Sequence, residues 1–205
     1  MTDDVSTLSS NQMDALCEIG NVGAGNSATA LSQIINRRID MNVPKVSIVP
    51  LGDVPDMVGG PDAMVVGVFL RVYGQAPGNI LFLLPRESAF FLVDMLLGKA
   101  RGETESLDFM GESALMEIGN ILAGAYLNAL FNFTNLSLLP SIPALAVDMA
   151  GAILSVVLIQ LGQMGDNALV IETEFQCEED NLQGHFFLVP DPGSLETILA
   201  AVGVE

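Results

Sequence analysis

The sequence predicts an α/β (α+β) fold in which one unit of helices and strands occurs twice. The fragment Glu-Ile-Gly-Asn at 18–21 returns 99 positions later at 117–120, and a proline follows each asparagine after twenty-two residues, at Pro44 and Pro143. A period of this length is too long for a solenoid unit. We therefore expect a tandem duplication that closes into one domain, 1–205, with repeats at about 8–100 and 106–205.

The order of predicted elements is the same in both halves. Apolar residues at helical spacing and alternating or continuous β-branched runs indicate the elements. In the first half we predict a helix from about Ser10, which can cap it, to Arg37, strands over Val43–Pro50, Ala63–Val72 and Asn79–Leu84, and a helix over Pro85–Gly98. In the second half we predict a helix over Ser106–Asn132, strands over Ala144–Asp148, Asn167–Cys177 and His185–Val189, and a helix over Pro190–Gly203. Gly151–Met164 is ambiguous between helix and strand.

Composition restricts the function classes. Seven basic residues against 25 acidic ones give a net charge of −18, so a nucleic-acid partner is excluded by charge repulsion and a basic protein surface fits better. A salt-rich cytoplasm is an alternative reason for so acidic a surface. The acidic start lacks a signal sequence, and no uninterrupted apolar run reaches the length of a membrane span. The two cysteines have no metal-ligand or redox spacing, so we expect a soluble cytoplasmic protein.

Polar residues form one line along each long helix. Asp14, Glu18, Asn21 and Gly25 follow at i, i+4, i+7 and i+11, and Ser113, Glu117, Asn120 and Gly124 repeat the line in the second helix. A carboxylate and an amide then lie side by side, with a glycine beyond them where a second protein can come close. Taken singly, such residues are ordinary solvated helix positions, but two copies at equal distances from a proline favour a functional site.

Two other motifs give weaker indications of function. The glycine-rich run 20–25 lies inside a helical pattern and lacks the Gly-Lys-Ser/Thr element of a phosphate loop. His185 stands alone in a predicted strand, so we interpret it as a sheet residue, and we expect no metal site.

The two lines resemble the signature of the CheC/CheX/FliY family of chemotaxis phosphatases. The pattern Asp/Ser-x3-Glu-x2-Asn-x22-Pro is complete from Asp14 to Pro44 and from Ser113 to Pro143, although Ser113 makes the two centres unequal. Two intact centres without additional switch segments favour the CheC branch. The resemblance implies a largely antiparallel sheet with pseudo-two-fold symmetry and two long exposed helices.

The resemblance also implies an activity and partners. A protein of this family removes the phosphoryl group from the aspartyl-phosphate of CheY, with Asn21 and Asn120 orienting the attacking water and Glu18 and Glu117 engaging a lysine of the regulator. The protein would need no cofactor of its own, since CheY would carry the Mg²⁺. CheD is implied as a second partner, with Asp148 and Met149 at the corresponding place, and we expect a monomer.

Two alternatives remain open at this point. The chain could be a non-catalytic adaptor that binds phospho-CheY or CheD. It could also be a structural component of a flagellar or archaellar switch complex, which would predict stable association with motor proteins. A binding-only protein would tolerate replacement of the asparagines, whereas a hydrolase would not.

Overall fold

The computed structural model describes residues 8–161, 167–177 and 180–203. These residues form six α-helices and seven strands. The first half contains α1 (Ser10–Ile35), β1 (Ile39–Pro50), a 3-10 turn (Leu51–Asp53), α2 (Val54–Met57), β2 (Met64–Gly74), β3 (Gly78–Pro85) and α3 (Arg86–Leu97). The second half contains α4 (Phe109–Thr134), β4 (Leu138–Pro140), β5 (Ala144–Met149), α5 (Ala150–Leu161), β6 (Asn167–Cys177), β7 (Asp180–Pro190) and α6 (Ser194–Val202).

The strands form one sheet in the order β1-β6-β7-β3-β2, with β4 and β5 both paired to the outer side of β2. Every pair of described strands is antiparallel. At the centre, β3 pairs with β7, with Leu81 opposite Phe187 and Phe82 opposite Phe186. Pro85 and Pro190 are equivalent residues of the two repeats, 105 positions apart, and by the same offset Leu81 is equivalent to Phe186 and Phe82 to Phe187. The repeat symmetry therefore converts one pair into the other, and the pseudo-two-fold axis passes between the two pairs. The predicted antiparallel, duplicated fold is confirmed.

Helices cover both faces of this sheet, which explains why its central strands are continuously apolar. Even-numbered residues of β2, from Val66 to Val72, join a core with the buried sides of α1, α3, α4 and α6. Val65 faces the other way, into a smaller core with α2 and α5. Because β3 lies between two cores, seven of its eight residues are buried.

The two long helices are alike in length and in how they end. Each has 26 residues and stops at an asparagine in the left-handed region, Asn36 with φ 53° and Asn135 with φ 56°. Ser9, not Ser10, caps α1: its hydroxyl accepts from the Gln12 N–H, and the Gln12 side chain accepts from the Ser9 N–H. The predicted cap was therefore wrong by one residue.

Other boundaries also differ from the predictions. Helix α4 begins at Phe109 because the Asp108 carboxylate accepts from the Gly111 N–H, so the predicted start at Ser106 was three residues early. Pro190 ends β7 rather than opening the last helix, which starts at Ser194. The ambiguous segment 151–164 is helical to Leu161, and 162–164 lie outside the described residues. Strands β1 and β7 are longer than predicted, and α2 and β4 were not predicted.

The two prolines of the repeat lie at an irregularity of the edge strands. Pro44 is inside β1, where the register with β6 shifts between Asn42 and Lys45. Pro143 lies in the gap between β4 and β5, which together occupy the place of β1 in the second half. Proline lacks the N–H that a regular ladder needs, so both copies tolerate it at a break in the pairing. The predicted strands placed Pro44 at the second residue of a strand and Pro143 just before one; the second placement is correct, and the first was wrong because β1 begins at Ile39.

The carboxylate of Asp94 binds the backbone of the segment that connects the two halves. Its carboxylate is 1% exposed and accepts from the N–H groups of Gly102 at 2.7 Å and Thr104 at 3.0 Å. Burial alone would raise the pKa of Asp94, but the hydrogen bonds from Thr104 and the backbone of the connection outweigh it and hold the pKa below its usual value. This connection leads into α4, whose surface carries the second polar line.

Among the described residues, α4 is the one helix long and apolar enough to span a membrane by length and composition. In the most apolar 18-residue segment of α4, 56% of the segment is buried inside the protein. Buried contacts with α1, α3 and the sheet account for that apolar character, as in the core helix of a globular domain.

Candidate functional site

The first polar line lies on the outer surface of α1. Asp14, Glu18, Asn21 and Gly25 are all exposed, while Ile19 and the other apolar residues of the helix face the sheet and α4. Glu18 and Asn21 are one turn apart, about 4.5 Å along the axis, so both side chains can reach one bound group. The structure therefore brings together the residues predicted to act in the first centre.

The second line has the same placement on α4. Glu117 and Asn120 are exposed, and Ser113 and Gly124 are half-buried. The two centres differ at their first member, where α1 offers the carboxylate of Asp14 and α4 the shorter hydroxyl of Ser113. Both helices expose these lines on the side of the domain away from the sheet.

The geometry of the centres is that of a docking surface. Asn21 Nδ2 lies 3.7 Å from the Cys17 sulfur, a weak contact that leaves the amide oxygen available to another group. The carboxylate and amide of each line stand on a convex helix surface, which suits recognition of another macromolecule better than enclosure of a small molecule. Each centre can thus offer a negative acceptor and a neutral amide to the active site of a partner.

Two kinds of glycine occur along the long helices, and only one kind belongs to the lines. A Cβ added to Gly25 or Gly124 would have no heavy atom within 4 Å, so both positions are open to a partner. At Gly23 a Cβ would come within 2.5 Å of Tyr126 Cδ1, and at Gly119 within 2.5 Å of Val68 Cγ1. Close packing of α1 on α4 and of α4 on β2 therefore depends on Gly23 and Gly119. The sequence signal for this role is their helical spacing from the buried residues, whereas the repeated motif marks the exposed glycines.

Asp148 and Met149 lie at the end of the edge strand β5, and both are exposed. The Asp148 carboxylate accepts from the Met149 N–H at 2.8 Å, just before α5 begins at Ala150. Val147 and Met149 expose 40% and 43% of their surface beside it. The predicted CheD-binding position is thus an accessible acidic residue with apolar neighbours, far from the polar lines in sequence.

The remaining candidates show no site. His185 lies in β7 between Leu83 of β3 and Glu172 of β6 in the sheet register, as predicted for a sheet residue. Within the described ranges, no group of three or more His, Cys, Asp or Glu side chains could hold a metal ion.

Comparison with known proteins identifies the family. Residues 12–48 and 110–146 each match the CheC-like family, so both halves carry the segment from helix to proline. Over 200 residues, covering 96% of this chain and 96% of the relative, the sequence is 41% identical to the CheY-P phosphatase CheC of Bacillus subtilis (strain 168). The chain belongs to the CheC-like family.

Solved structures of this fold resemble the chain along most of its length. FliY of Thermotoga maritima superposes with a TM-score of 0.78 at 21% identity, covering 96% of this chain and 98% of that one. A chain of the CheX–CheY–BeF3–Mg²⁺ complex from Borrelia burgdorferi superposes with a TM-score of 0.51 at 18% identity, covering 82% and 96%. At these identities the likeness concerns the fold. The CheC-like fold therefore extends over both halves.

Proposed function

We propose that this protein is a chemotaxis phosphatase that hydrolyses the aspartyl-phosphate of phosphorylated CheY. The observation that carries the proposal is the similarity of the chain, over nearly its full length, to a CheY-P phosphatase. The exposed Glu–Asn pair on each of two long helices agrees with it. We further propose that 1–205 acts as one domain of two repeats, at about 8–100 and 106–205, since β6 and β7 of the second half lie between β1 and β3 of the first half in one sheet.

Asn21 and Asn120 orient the attacking water. Phosphoryl transfer has a loose transition state, so catalysis depends on positioning and electrostatic stabilisation rather than on a strong base. An amide oxygen accepts a hydrogen bond from the water and holds its oxygen in line with the phosphorus. The new P–O bond forms to water as the bond to the aspartyl oxygen breaks, which releases inorganic phosphate and the free carboxylate of CheY.

Glu18 and Glu117 bind the regulator. Each carboxylate accepts from the ammonium of the lysine beside the phosphoryl group, and this charge-assisted hydrogen bond sets the position of the regulator on the helix. Asn21 or Asn120, one turn away, then points at the phosphorus. Gly25 and Gly124 leave the surface open to the rim of the regulator's active site.

The cation belongs to the partner in this proposal. Mg²⁺ bound by CheY would supply positive charge beside the phosphoryl oxygens, and the phosphatase would contribute only side chains. Adding a chelator should stop the reaction, and mixing chelator-treated phosphatase with Mg²⁺-loaded CheY should restore it.

CheD is proposed as a second partner, docking at Asp148 and Met149. The support is an exposed carboxylate with exposed apolar neighbours at the end of an edge strand. We also propose that the protein acts as a monomer in the cytoplasm. The alternatives are an adaptor that binds CheD or phospho-CheY without hydrolysis and a component of a motor switch.

Replacement of the asparagines separates the hydrolase from these alternatives. Asn21→Ala and Asn120→Ala should each leave partial activity through the other centre, and the double variant should lose stimulated dephosphorylation. Asn132→Ala is the matched control, because Asn132 is exposed on α4 but lies about 120° around the helix from Asn120. The measurement is the decay of phospho-CheY with each variant at equal concentration. Acceleration as large with the double variant as with the wild type would reject the water-positioning role, and no acceleration with the wild-type protein itself would favour an adaptor.

A further inference from the structure

Exposed apolar residues lie at both ends of the second polar line. Phe109 and Met110, in the first turn of α4, expose 79% and 57% of their surface, and Phe131 in its last turn exposes 46%. Scattered surface apolar residues are ordinary, but these three share a helix face with a candidate site. Their exposure beside this site therefore indicates that a partner covers them.

Their spacing places them on the line itself. Phe109 precedes Ser113 by four residues, and Phe131 follows Gly124 by seven, so both lie on the stripe of Glu117 and Asn120. Phe109 is eleven residues before Asn120 and Phe131 eleven after it, or about 16 Å in either direction along the helix. A standard protein interface covers about 800 Å² on each partner, a disc of about 16 Å radius. A regulator docked over Asn120 would therefore reach both ends of the stripe.

The first centre lacks these residues. The positions 99 residues earlier are Ser10, Asn11 and Ser32. Ser10 and Asn11 are exposed and polar, and the Ser32 hydroxyl accepts from the Ile39 N–H at 2.9 Å. The two centres thus share their Glu and Asn but differ at both ends of the line.

We propose that Phe109, Met110 and Phe131 form an apolar rim that binds the phosphorylated regulator at the second centre and sets its affinity there. The inference rests on the proposed function, because the occupant is the same regulator and the rim is continuous with the surface that receives it. Its chemistry calls for apolar side chains on the regulator on either side of the phosphorylation site. Apolar and aromatic anchors surrounding a polar contact are a recurrent design of protein interfaces.

The test isolates one centre at a time. In the Asn21→Ala background, where only the second centre works, Phe109→Ser with Met110→Asn installs the residues of the first half. Initial rates at varied phospho-CheY should show KM raised about ten-fold and kcat within about two-fold. The same pair of changes in the Asn120→Ala background, where only the first centre works, should leave KM unchanged.

Two further variants guard against a folding artefact. Phe133→Ser removes a phenylalanine that is 40% exposed on the same helix but about 220° around from Asn120, and KM should not move. In the Asn120→Ala background, Ser10→Phe with Asn11→Met should lower the KM of the first centre several-fold, a gain that unfolding cannot produce.

The outcomes distinguish the rim from the proposed function. An unchanged KM at the second centre, with catalysis intact, overturns the rim and leaves the phosphatase standing. A KM rise of equal size with Phe133→Ser also overturns it. If Phe109→Ser with Met110→Asn changed the sedimentation mass and left KM unchanged, the rim would instead bind a second copy of this chain. If the wild-type protein did not accelerate the decay of phospho-CheY, the proposed function would fail, and titration of beryllofluoride-activated CheY would decide the rim: equal affinity for wild type and the Phe109→Ser, Met110→Asn variant overturns it, and weaker binding supports it.

Discussion

Replacing Asp94 by Asn should destabilise the protein strongly, although the two side chains have the same shape. The carboxylate accepts from the N–H groups of Gly102 and Thr104 through different oxygens. An amide presents one oxygen and one NH₂, so one of these backbone donors keeps a neutral acceptor and the other meets a second donor. Losing the charge from one hydrogen bond costs about 1 kcal/mol, and leaving the other donor buried and unsatisfied costs about 1–3 kcal/mol.

The expected loss is therefore about 3 kcal/mol in the free energy of unfolding. For a chain of this size that corresponds to about 6–12 °C in the midpoint of thermal unfolding. Urea denaturation at pH 7 measures the difference directly. Glu105→Gln is the control, because Glu105 is an exposed carboxylate of the same connection, and its unfolding free energy should stay within about 0.5 kcal/mol of wild type.

The pH dependence gives a second readout with a definite sign. The folded pKa of Asp94 is lower than the unfolded value, so its contribution is fully present above the unfolded pKa, about 3.9, and is lost as pH falls through the folded pKa. The difference between wild type and Asp94→Asn should thus be constant from pH 7 to about pH 5 and shrink below about pH 4. An Asn variant within 0.5 kcal/mol of wild type at pH 7, or a difference that persists undiminished at low pH, would refute the reasoning.

Three further changes test the docking surfaces and the helix packing. Glu18→Lys with Glu117→Lys should abolish binding of phospho-CheY, because like charges across a contact cost several kcal/mol; normal capture in a pull-down at moderate salt would contradict this. Asp148→Lys should weaken binding of CheD in a titration and leave phospho-CheY decay near wild type, whereas a loss of both with a lower unfolding midpoint would mean that Asp148 only supports the turn into α5. Gly23→Ala should cost about 1–3 kcal/mol of stability in urea denaturation, since its Cβ would overlap the buried Tyr126 ring; an unchanged midpoint would show that the helices can move apart freely.

Residues whose role depends on one helix or one repeat could be predicted from the sequence. The i, i+4, i+7 spacing placed Glu18 and Asn21 on one exposed face, and the second copy placed Glu117 and Asn120 likewise. Helical spacing places Gly23 on the buried side of α1 and Gly25 on the exposed side, but the contact of Gly23 with Tyr126 does not follow from spacing. It depends on where the neighbouring helix crosses.

The predicted starts of α1 and β1 were wrong because hydrogen bonds decide where each element begins. Ser9 and Ser10 are equal candidates for a cap in the sequence, and the capping box with Gln12 selects Ser9. Pro44 was expected at the start of a strand, but the chain begins pairing with β6 five residues earlier, at Ile39, and accommodates the proline at a shift in register. Those choices depend on hydrogen bonds to partners that the local pattern does not contain.

Helical and strand periodicity follow from the geometry of a single segment, so the duplication, the two polar lines and the type of most elements can be predicted from the sequence alone. The pairing of β1 with β6 and of β5 with β2, by which each half completes the sheet of the other, is known only from the three-dimensional structure. The same is true of Asp94 as the anchor of the connection into α4; the matching position of the second half is Leu199. These features depend on contacts between residues far apart in the chain, whose free energy no local spacing expresses.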